Sequence, residues 1–101
     1  MRSFVQDQLG NTIYLTDERW HHICDEHPEM FGHRDLVLDT VRSGSRFQDS
    51  VRPQVYLYYR DYQRLPDANT TIVVVVYFGV TADGAENNFV LTAYQIRRRK
   101  R

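Results

Sequence analysis

The spacing of apolar residues predicts helices in the first half of the chain and strands in the second half. Between residues 16 and 43, apolar side chains recur at intervals of three and four, the period of an amphipathic helix. The first helix is predicted to begin after Thr16, a suitable N-cap, and to end or kink at His27, because Pro28 cannot continue it. One stripe along this helix comprises Trp20, Ile23, Cys24 and His27.

A second helix is predicted over about residues 33–43, and Gly44 is expected to end it in a left-handed conformation. Its predicted buried face consists of Leu36, Val37, Thr40 and Val41. Strand-like segments follow at about 46–50, 55–60, 71–79 and 88–96. The third of them is apolar on both faces and rich in β-branched residues, so it is predicted to be a central strand.

Two turn signals complete the predicted order of elements. Gly10-Asn11 separates residues 3–8 from 12–15, which predicts a small N-terminal hairpin or a strand-like lead-in, and Asp83-Gly84 suits a hairpin turn. The fold class that follows is α+β, with N-terminal helices packed on one face of a four-stranded antiparallel sheet. The chain is predicted to be a single domain, residues 1–101, with a basic tail at about 97–101.

The second face of this sheet is predicted to be open, and the alternation of side chains along a strand predicts what it carries. In the last strand, Phe89, Leu91 and Ala93 alternate with Val90, Thr92 and Tyr94. With the more apolar sets facing the helices, the open face gathers Tyr56, Tyr58, Arg60, Thr92 and Tyr94. Aromatic residues beside an arginine suit base stacking and phosphate binding, although tyrosine is also common in strands because it favours sheets.

Composition and charge limit the classes of protein to which this chain can belong. The apolar fraction of 42%, with seven tyrosines and five phenylalanines, predicts a folded globule. The chain has no long apolar run and no N-terminal signal pattern, so a cytoplasmic protein is expected.

The basic residues are unevenly distributed, since five of the 13 lie at positions 97–101. Positions 1–96 therefore contain eight basic and 13 acidic residues, a net charge of −5. Such a basic block is typical of a tail that binds nucleic acid, and the alternative is a solvated end resting on acidic helix residues.

Three of the four histidines, His21, His22 and His27, lie within seven residues, and imidazole is the side chain best suited to proton exchange near neutral pH. His27 is expected to emerge at a rim and act as general acid or base. The alternative is a structural histidine bonded to a carbonyl that the helix break frees. His22 points away from the apolar stripe, where Glu26 at i+4 can orient its imidazole, and the alternative is a solvated helix face.

The other candidate residues favour chemistry on a phosphodiester. Thr92 and Tyr94 share a strand face, so their hydroxyls can orient a phosphate or assist proton transfer, unless they are merely half-buried strand residues. Arg60 can neutralise the charge that builds on a pentacoordinate phosphorus. The predicted RNA-binding residues are Tyr56, Tyr58, Arg97, Arg98 and Arg99.

No metal or cofactor is expected. His22 and His27 lack the i, i+4 spacing that places two ligands on one helical face. Cys24 is the single cysteine, which excludes an internal disulfide and a cysteine-rich metal site. It is expected to be a small buried residue, with a pKa raised by the neighbouring Asp25 and Glu26.

The order of these motifs resembles the small phage- and toxin-associated nucleases of the barnase, EndoU, colicin-type and RelE-like fold. The resemblance covers roughly residues 12–98. It rests on L-T-D-E-R-W-H-H-I at 15–23, H-P-E at 27–29, Y-Y-R at 58–60, the valine-rich strand, and F-V-L-T-A-Y at 89–94.

The resemblance implies metal-independent cleavage of RNA. A base takes the proton of the 2′-hydroxyl, the oxygen attacks the adjacent phosphorus, and an acid protonates the leaving 5′-oxygen. The products carry 2′,3′-cyclic phosphate and 5′-hydroxyl ends. His27 and His22 match the helix histidines of the family, Arg60 matches a basic residue after the tyrosine strand, and the last-strand hydroxyl pair is Thr92 and Tyr94.

The implied partners are an RNA substrate, such as tRNA or ribosome-associated mRNA, and an antitoxin or inhibitor protein. RelE-like toxins are strongly basic, whereas residues 1–96 of this chain carry a net negative charge. Three explanations fit this difference: the basic residues are concentrated in one groove, the substrate is one particular structured RNA, or the activity has been lost.

Two other functions fit the same residues. One is a non-catalytic nucleic-acid-binding module, and the other is a protein-interaction domain whose tyrosine face meets a partner or a second copy.

Overall fold

One six-stranded mixed sheet forms the framework of the protein in the computed structural model, which describes residues 1–98. Two α-helices and two short 3₁₀ turns, at Pro28–Met30 and Pro66–Ala68, accompany the sheet. The strands and helices are β1 (Arg2–Gln6), β2 (Thr12–Thr16), α1 (Asp17–Glu26), α2 (Arg34–Ser43), β3 (Ser45–Gln48), β4 (Val55–Asp61), β5 (Thr71–Val80) and β6 (Glu86–Ile96). The order across the sheet is β1-β2-β6-β5-β4-β3.

The predicted four-stranded antiparallel sheet with N-terminal helices is wrong. Strands β3 to β6 form an antiparallel meander, but the hairpin β1–β2 precedes the helices and extends the sheet through a parallel pairing of β2 with β6. The physical reason is burial, because the hairpin carries apolar residues that reach the core only from that edge. Val5, Ile13 and Leu15 are almost wholly buried there.

Both α-helices pack on one face of the sheet, and their ends follow local sequence signals. The Thr16 hydroxyl accepts a hydrogen bond from the Arg19 backbone N–H at 3.0 Å, which confirms the predicted N-cap of α1. The helix ends at Glu26, and His27 is its C-cap before Pro28. Each α-helix within residues 1–98 has ten residues, and no described helix is long and apolar enough to cross a membrane.

Gly44 ends α2 for a different reason from the predicted one. Its backbone is extended, with φ −80° and ψ 169°, so the expected left-handed terminator is wrong. A Cβ atom at this position would lie 2.5 Å from the carbonyl oxygens of both Thr40 and Tyr59. Glycine is therefore required because the chain passes close to other backbone atoms as it turns from α2 into β3.

The predicted open-face positions of Tyr56, Tyr58 and Arg60 are also wrong, because these side chains face the helices. Tyr58 is only 1% exposed and belongs to the core, and Tyr56 packs against that core. A tyrosine can be buried when its hydroxyl finds a polar partner, and Tyr58 donates to the carboxylate of Asp7 at 2.5 Å. The β4 residues that alternate with these three, among them Leu57 and Tyr59, lie on the open face instead.

Candidate functional site

Aromatic side chains form a continuous row across the open face of the sheet. Residues that are direct partners in a ladder lie on the same face, and this relation joins Phe4 to Tyr14, Tyr14 to Phe89, and Phe89 to Tyr77. The ring centroids along the row are 5.8, 5.9 and 5.5 Å apart. The guanidinium of Arg2 lies 4.4 Å from the centre of the Tyr14 ring. This half of the face therefore offers aromatic surfaces and a positive charge.

The other half of the open face contains a groove of about 370 Å³, here called the open-face groove. Tyr59 on β4 and Tyr94 on β6 are both direct partners of Val73 on β5. Two long side chains thus flank a short one, which leaves a depression between them. Leu57 continues the floor, and Phe47 and Ile96 contribute to its lining. The groove is a consequence of strand register and side-chain length.

Arg98 lies at this groove and brings a positive charge to it. Its guanidinium donates to both carboxylate oxygens of Asp61, at 3.0 and 2.9 Å, and lies 5.1 Å from the centre of the Tyr59 ring. The Arg97 guanidinium donates to the Asp67 carbonyl oxygen at 3.1 Å. Arg99, the third predicted RNA-binding arginine, lies outside the described residues.

His27 meets the sheet at the edge of β6, where it lies against Tyr94 but is not part of the lining of the groove. The ring centroids of His27 and Tyr94 are 5.7 Å apart, and the His27 side chain is 34% exposed. This geometry confirms that the ring emerges at a rim. No hydrogen bond from the imidazole to a carbonyl oxygen is present within residues 1–98, so the structural role proposed for this histidine at the helix break has no contact to support it there.

The Pro28–Met30 turn holds His27 in place against β6. Gln95, a buried residue of β6, donates its side-chain amide to the carbonyl oxygen of Glu29 at 3.0 Å. The carboxylate of Glu29 lies 3.8 Å from Nδ1 of His27, which favours one orientation of the imidazole. From the sequence, Glu29 was named only as part of the H-P-E motif at 27–29, with no role beside His27, and its position after the helix break was the available signal.

Thr92 shares the open face with Tyr94, but their hydroxyls differ in access. Thr92 is the direct partner of Val75, and its Oγ1 atom is buried with no hydrogen-bond partner among the described residues. A bound molecule cannot touch that atom unless the strand shifts. Tyr94 is half-buried, and no hydrogen bond within residues 1–98 occupies its hydroxyl. Tyr94 therefore presents the accessible hydroxyl beside His27.

Two other predicted catalytic residues lie away from this edge. His22 is exposed on α1, and its Nε2 lies 3.4 Å from Oε1 of Glu26, which confirms the predicted pairing but gives no contact with Tyr94. Arg60 lies on the helix side, where it is bonded to Asp39 of α2 and its guanidinium is 5.1 Å from the centre of the Tyr62 ring. The expected position of Arg60 on the open face is thus wrong, because Arg60 alternates in β4 with the open-face residues and lies on the same side as the buried Tyr58.

Among residues 1–98, the remaining titratable side chains do not form a second cluster that could act as a site. Burial first, and then the charge of Asp25, raises the pKa of the half-buried Cys24 thiol, in the predicted direction. Within residues 1–98, no group of three or more histidine, cysteine, aspartate or glutamate side chains is arranged to hold a metal ion.

Comparison with known proteins found no relative of this chain. No protein-family model, curated protein or solved structure matches the chain. The residues of the open face and its edge are therefore the basis for any functional proposal.

Proposed function

We propose that the protein is a metal-independent endoribonuclease that binds single-stranded RNA on the open face of its sheet and cleaves it beside His27. The observation that carries the proposal is the meeting of His27 with Tyr94 at the edge of β6, next to the open-face groove. A proton-exchanging side chain, an accessible hydroxyl and aromatic stacking surfaces are adjacent there. The resemblance of the sequence motifs to phage- and toxin-associated nucleases supports the same chemistry.

The proposed reaction uses the nucleophile that RNA itself supplies. His27 takes the proton of a 2′-hydroxyl, and the resulting oxygen attacks the neighbouring phosphorus. The bond to the 5′-oxygen breaks, and that oxygen takes a proton from solvent water and leaves as a 5′-hydroxyl, while the other product carries a 2′,3′-cyclic phosphate. His27 then returns to solvent the proton that it took from the 2′-hydroxyl. Glu29 orients the imidazole, and the Tyr94 hydroxyl donates a hydrogen bond to a phosphate oxygen. Arg98 replaces Arg60 as the cation that attracts the RNA backbone to this face.

A cytoplasmic location and two partners belong to this proposal. The RNA is tRNA or ribosome-associated mRNA, both of which offer single-stranded segments. An antitoxin or inhibitor protein holds the activity in check, because unrestrained RNA cleavage harms the cell that makes the enzyme.

A second candidate function is a non-catalytic module that binds single-stranded nucleic acid. The observation that favours it is the separation of the expected catalytic set, since His22 and Arg60 lie away from the His27–Tyr94 edge. The aromatic row and Arg2 suit binding without cleavage.

The test is incubation of the purified full chain with total RNA, with ribosomes carrying mRNA, and with a short labelled RNA, all in excess EDTA. We expect cleavage that leaves 2′,3′-cyclic phosphate ends, identified by mass spectrometry. His27→Ala is expected to lower the rate by about 10²–10⁴-fold, the usual contribution of a general acid or base. The matched control is His21→Ala, which removes an exposed histidine of α1 and is expected to cleave like the wild type.

Two results would contradict the nuclease proposal. Cleavage that EDTA abolishes would rule out the metal-independent reaction, and equal rates for His27→Ala and the wild type would remove His27 from it. Salt-dependent binding of RNA without cleavage of any of the three substrates would favour the second candidate function.

A further inference from the structure

We infer that the open-face groove binds one unpaired nucleobase, so that the RNA is single-stranded at the nucleotide next to the cleaved bond. This inference rests on the proposed function and deepens it by naming the form of the substrate and the place of one base. It is carried by the shape of the groove, by the chemistry of its lining and by its position relative to His27.

The shape of the groove suits a flat ring. Tyr59 and Tyr94 stand on either side of Val73, which is 6% exposed at the bottom. The volume of about 370 Å³ lies in the range of small-ligand sites, roughly 300–1,000 Å³. A base that enters between the two tyrosines stacks on an aromatic ring and covers the apolar floor.

The chemistry of the lining favours stacking over recognition of base edges. The Thr71 hydroxyl donates to Asp61 at 2.7 Å, and the Arg98 guanidinium is bonded to the same carboxylate. Apart from the hydroxyls of Tyr59 and Tyr94, the polar groups of the lining are thus already engaged, and most of the lining is aromatic or aliphatic. The groove is therefore expected to accept any of the four bases, because every base has a π-face.

The charge around the groove suits a strand of phosphates. Arg97 lies at this end of the sheet bonded to a backbone carbonyl oxygen, Arg98 lies there paired with Asp61, and the chain continues in sequence with Arg99, Lys100 and Arg101. A second copy that packed through the same face would bring the same positive charges, whereas RNA brings the opposite charge. This charge complementarity identifies RNA as the occupant.

The position of the groove connects base binding to cleavage. Tyr94 lines the groove, and its ring centroid also lies 5.7 Å from that of His27. A base held in the groove thus places its own ribose and phosphate near His27. A base that is stacked and paired within a duplex cannot reach the groove without leaving the helix, which costs unpairing energy. The geometry accordingly selects an unpaired nucleotide.

The test measures binding with RNA that cannot be cleaved. A fluorescent 2′-O-methyl 12-mer lacks the attacking hydroxyl, and its affinity is compared with that of the same sequence closed into a duplex hairpin. We expect the single strand to bind at least tenfold more tightly than the duplex. Replacing single bases of the 12-mer in turn with abasic sites is expected to weaken binding at one position, irrespective of which base it carried.

Variants of the protein test the groove itself. Tyr59→Leu keeps an apolar side chain but removes one stacking wall, and we expect it to weaken single-strand binding about 5- to 150-fold, the loss of one base stack. Phe31→Leu is the matched control, because Phe31 is 80% exposed next to α1 and away from the open face. Circular dichroism verifies that both variants fold, and the abasic series on the wild type does not depend on any variant.

The outcomes separate this inference from the proposed function. Groove-dependent binding of the single strand without cleavage of unmodified RNA would uphold the groove and overturn the nuclease. Cleavage of unmodified RNA, with equal binding of duplex and single strand and no effect of abasic sites, would overturn the groove and uphold the nuclease. Absence of RNA binding, together with a dimer in sedimentation that Tyr59→Leu dissociates, would instead make the groove an interface between copies.

Discussion

At the scale of single residues, Asp7 shows how a buried charge joins two distant parts of the chain. Its Oδ1 atom accepts hydrogen bonds from the backbone N–H groups of Leu9 and Asn11 at 3.0 and 2.8 Å. Its Oδ2 atom accepts from the Asn11 amide at 2.9 Å and from the Tyr58 hydroxyl at 2.5 Å. Arg46 lies 3.9 Å from the same oxygen. The carboxylate therefore fastens the β1–β2 turn to β4.

These contacts lead to a prediction about pH. Burial by itself would raise the pKa of Asp7, but the hydrogen bonds from Tyr58 and then Asn11 outweigh burial and hold that pKa below its ordinary value. Because the folded pKa is lowered, the stabilisation is complete above the ordinary aspartate pKa of about 4 and is lost as the pH falls through the lower folded pKa.

The measurement is the free energy of unfolding of the wild type and of Asp7→Asn by urea denaturation between pH 2.5 and 7. We expect the difference between the two proteins to be constant from pH 7 down to about 4 and to shrink below it. Both proteins contain the same other carboxylates, so the effect of their titration cancels in the difference between the two free energies of unfolding. A difference of equal size at pH 2.5 and pH 7 would show that the Asp7 charge does not stabilise the fold.

At the scale of elements, a bulge in β6 decides which side chains reach the open face. The register between β5 and β6 shifts between Val75 and Val76, so Val75 pairs with Thr92 whereas Val76 pairs with Val90. Val90 and Ala93, three residues apart, are both buried in the core. Phe89 and Tyr94 consequently lie together on the open face, although strict alternation predicts that they point to opposite faces.

The junction between α2 and β3 gives a prediction at the same scale. In Gly44→Ala, the new methyl group would lie 2.5 Å from two backbone carbonyl oxygens, which cannot move aside as the end of a side chain could. We expect a loss of about 1–3 kcal/mol in the free energy of unfolding, the usual cost of overpacking. Ser43→Ala, at the exposed last residue of α2, is the control and should change stability little. A Gly44→Ala protein as stable as the control would mean that the junction relaxes freely.

At the scale of the whole molecule, both sides of the sheet carry charged residues, and the open face combines them with a row of aromatic rings. The helices on one side expose acidic residues, among them Glu18, Asp25, Glu26 and Asp35. The open face carries Arg2 and Arg98 above aromatic rings, and the basic residues 99–101 follow Arg98 in sequence. A formal net charge of zero is thus compatible with RNA binding, because Arg2 and Arg98 lie directly beside aromatic rings of the open face.

Removal of residues 99–101 tests this distribution. Three positive charges are lost, and each phosphate contact with a single strand contributes about 0.7 to the slope of log Kobs against log salt concentration. We expect the slope for the 2′-O-methyl single strand to become shallower by about 2, while its preference over the duplex is kept. An unchanged slope would show that these residues do not contact the RNA backbone.

The sequence by itself determined the features that depend on neighbouring residues. Thr16 and Pro28 set the ends of α1, Gly10 and Gly84 adopt positive φ in the predicted turns, and the valine-rich segment is an interior strand. Each of these follows from a local cap, a local steric clash or a run of β-branched residues. The rim position of His27 was predictable for the same reason, since the proline beside it ends the helix.

Only the tertiary structure decided which strands are neighbours and which faces they present. The parallel pairing of β2 with β6, the bulge in β6 and the burial of Tyr58 against Asp7 all join residues far apart in the chain. The alternation of side chains along a strand assigns them to two faces, but it does not say which face is buried. A distant polar partner can bury the face that carries the more polar side chains, and one bulge exchanges the two faces for the rest of the strand. The contact of His27 with Tyr94, on which the proposed function rests, therefore became visible only in the folded chain.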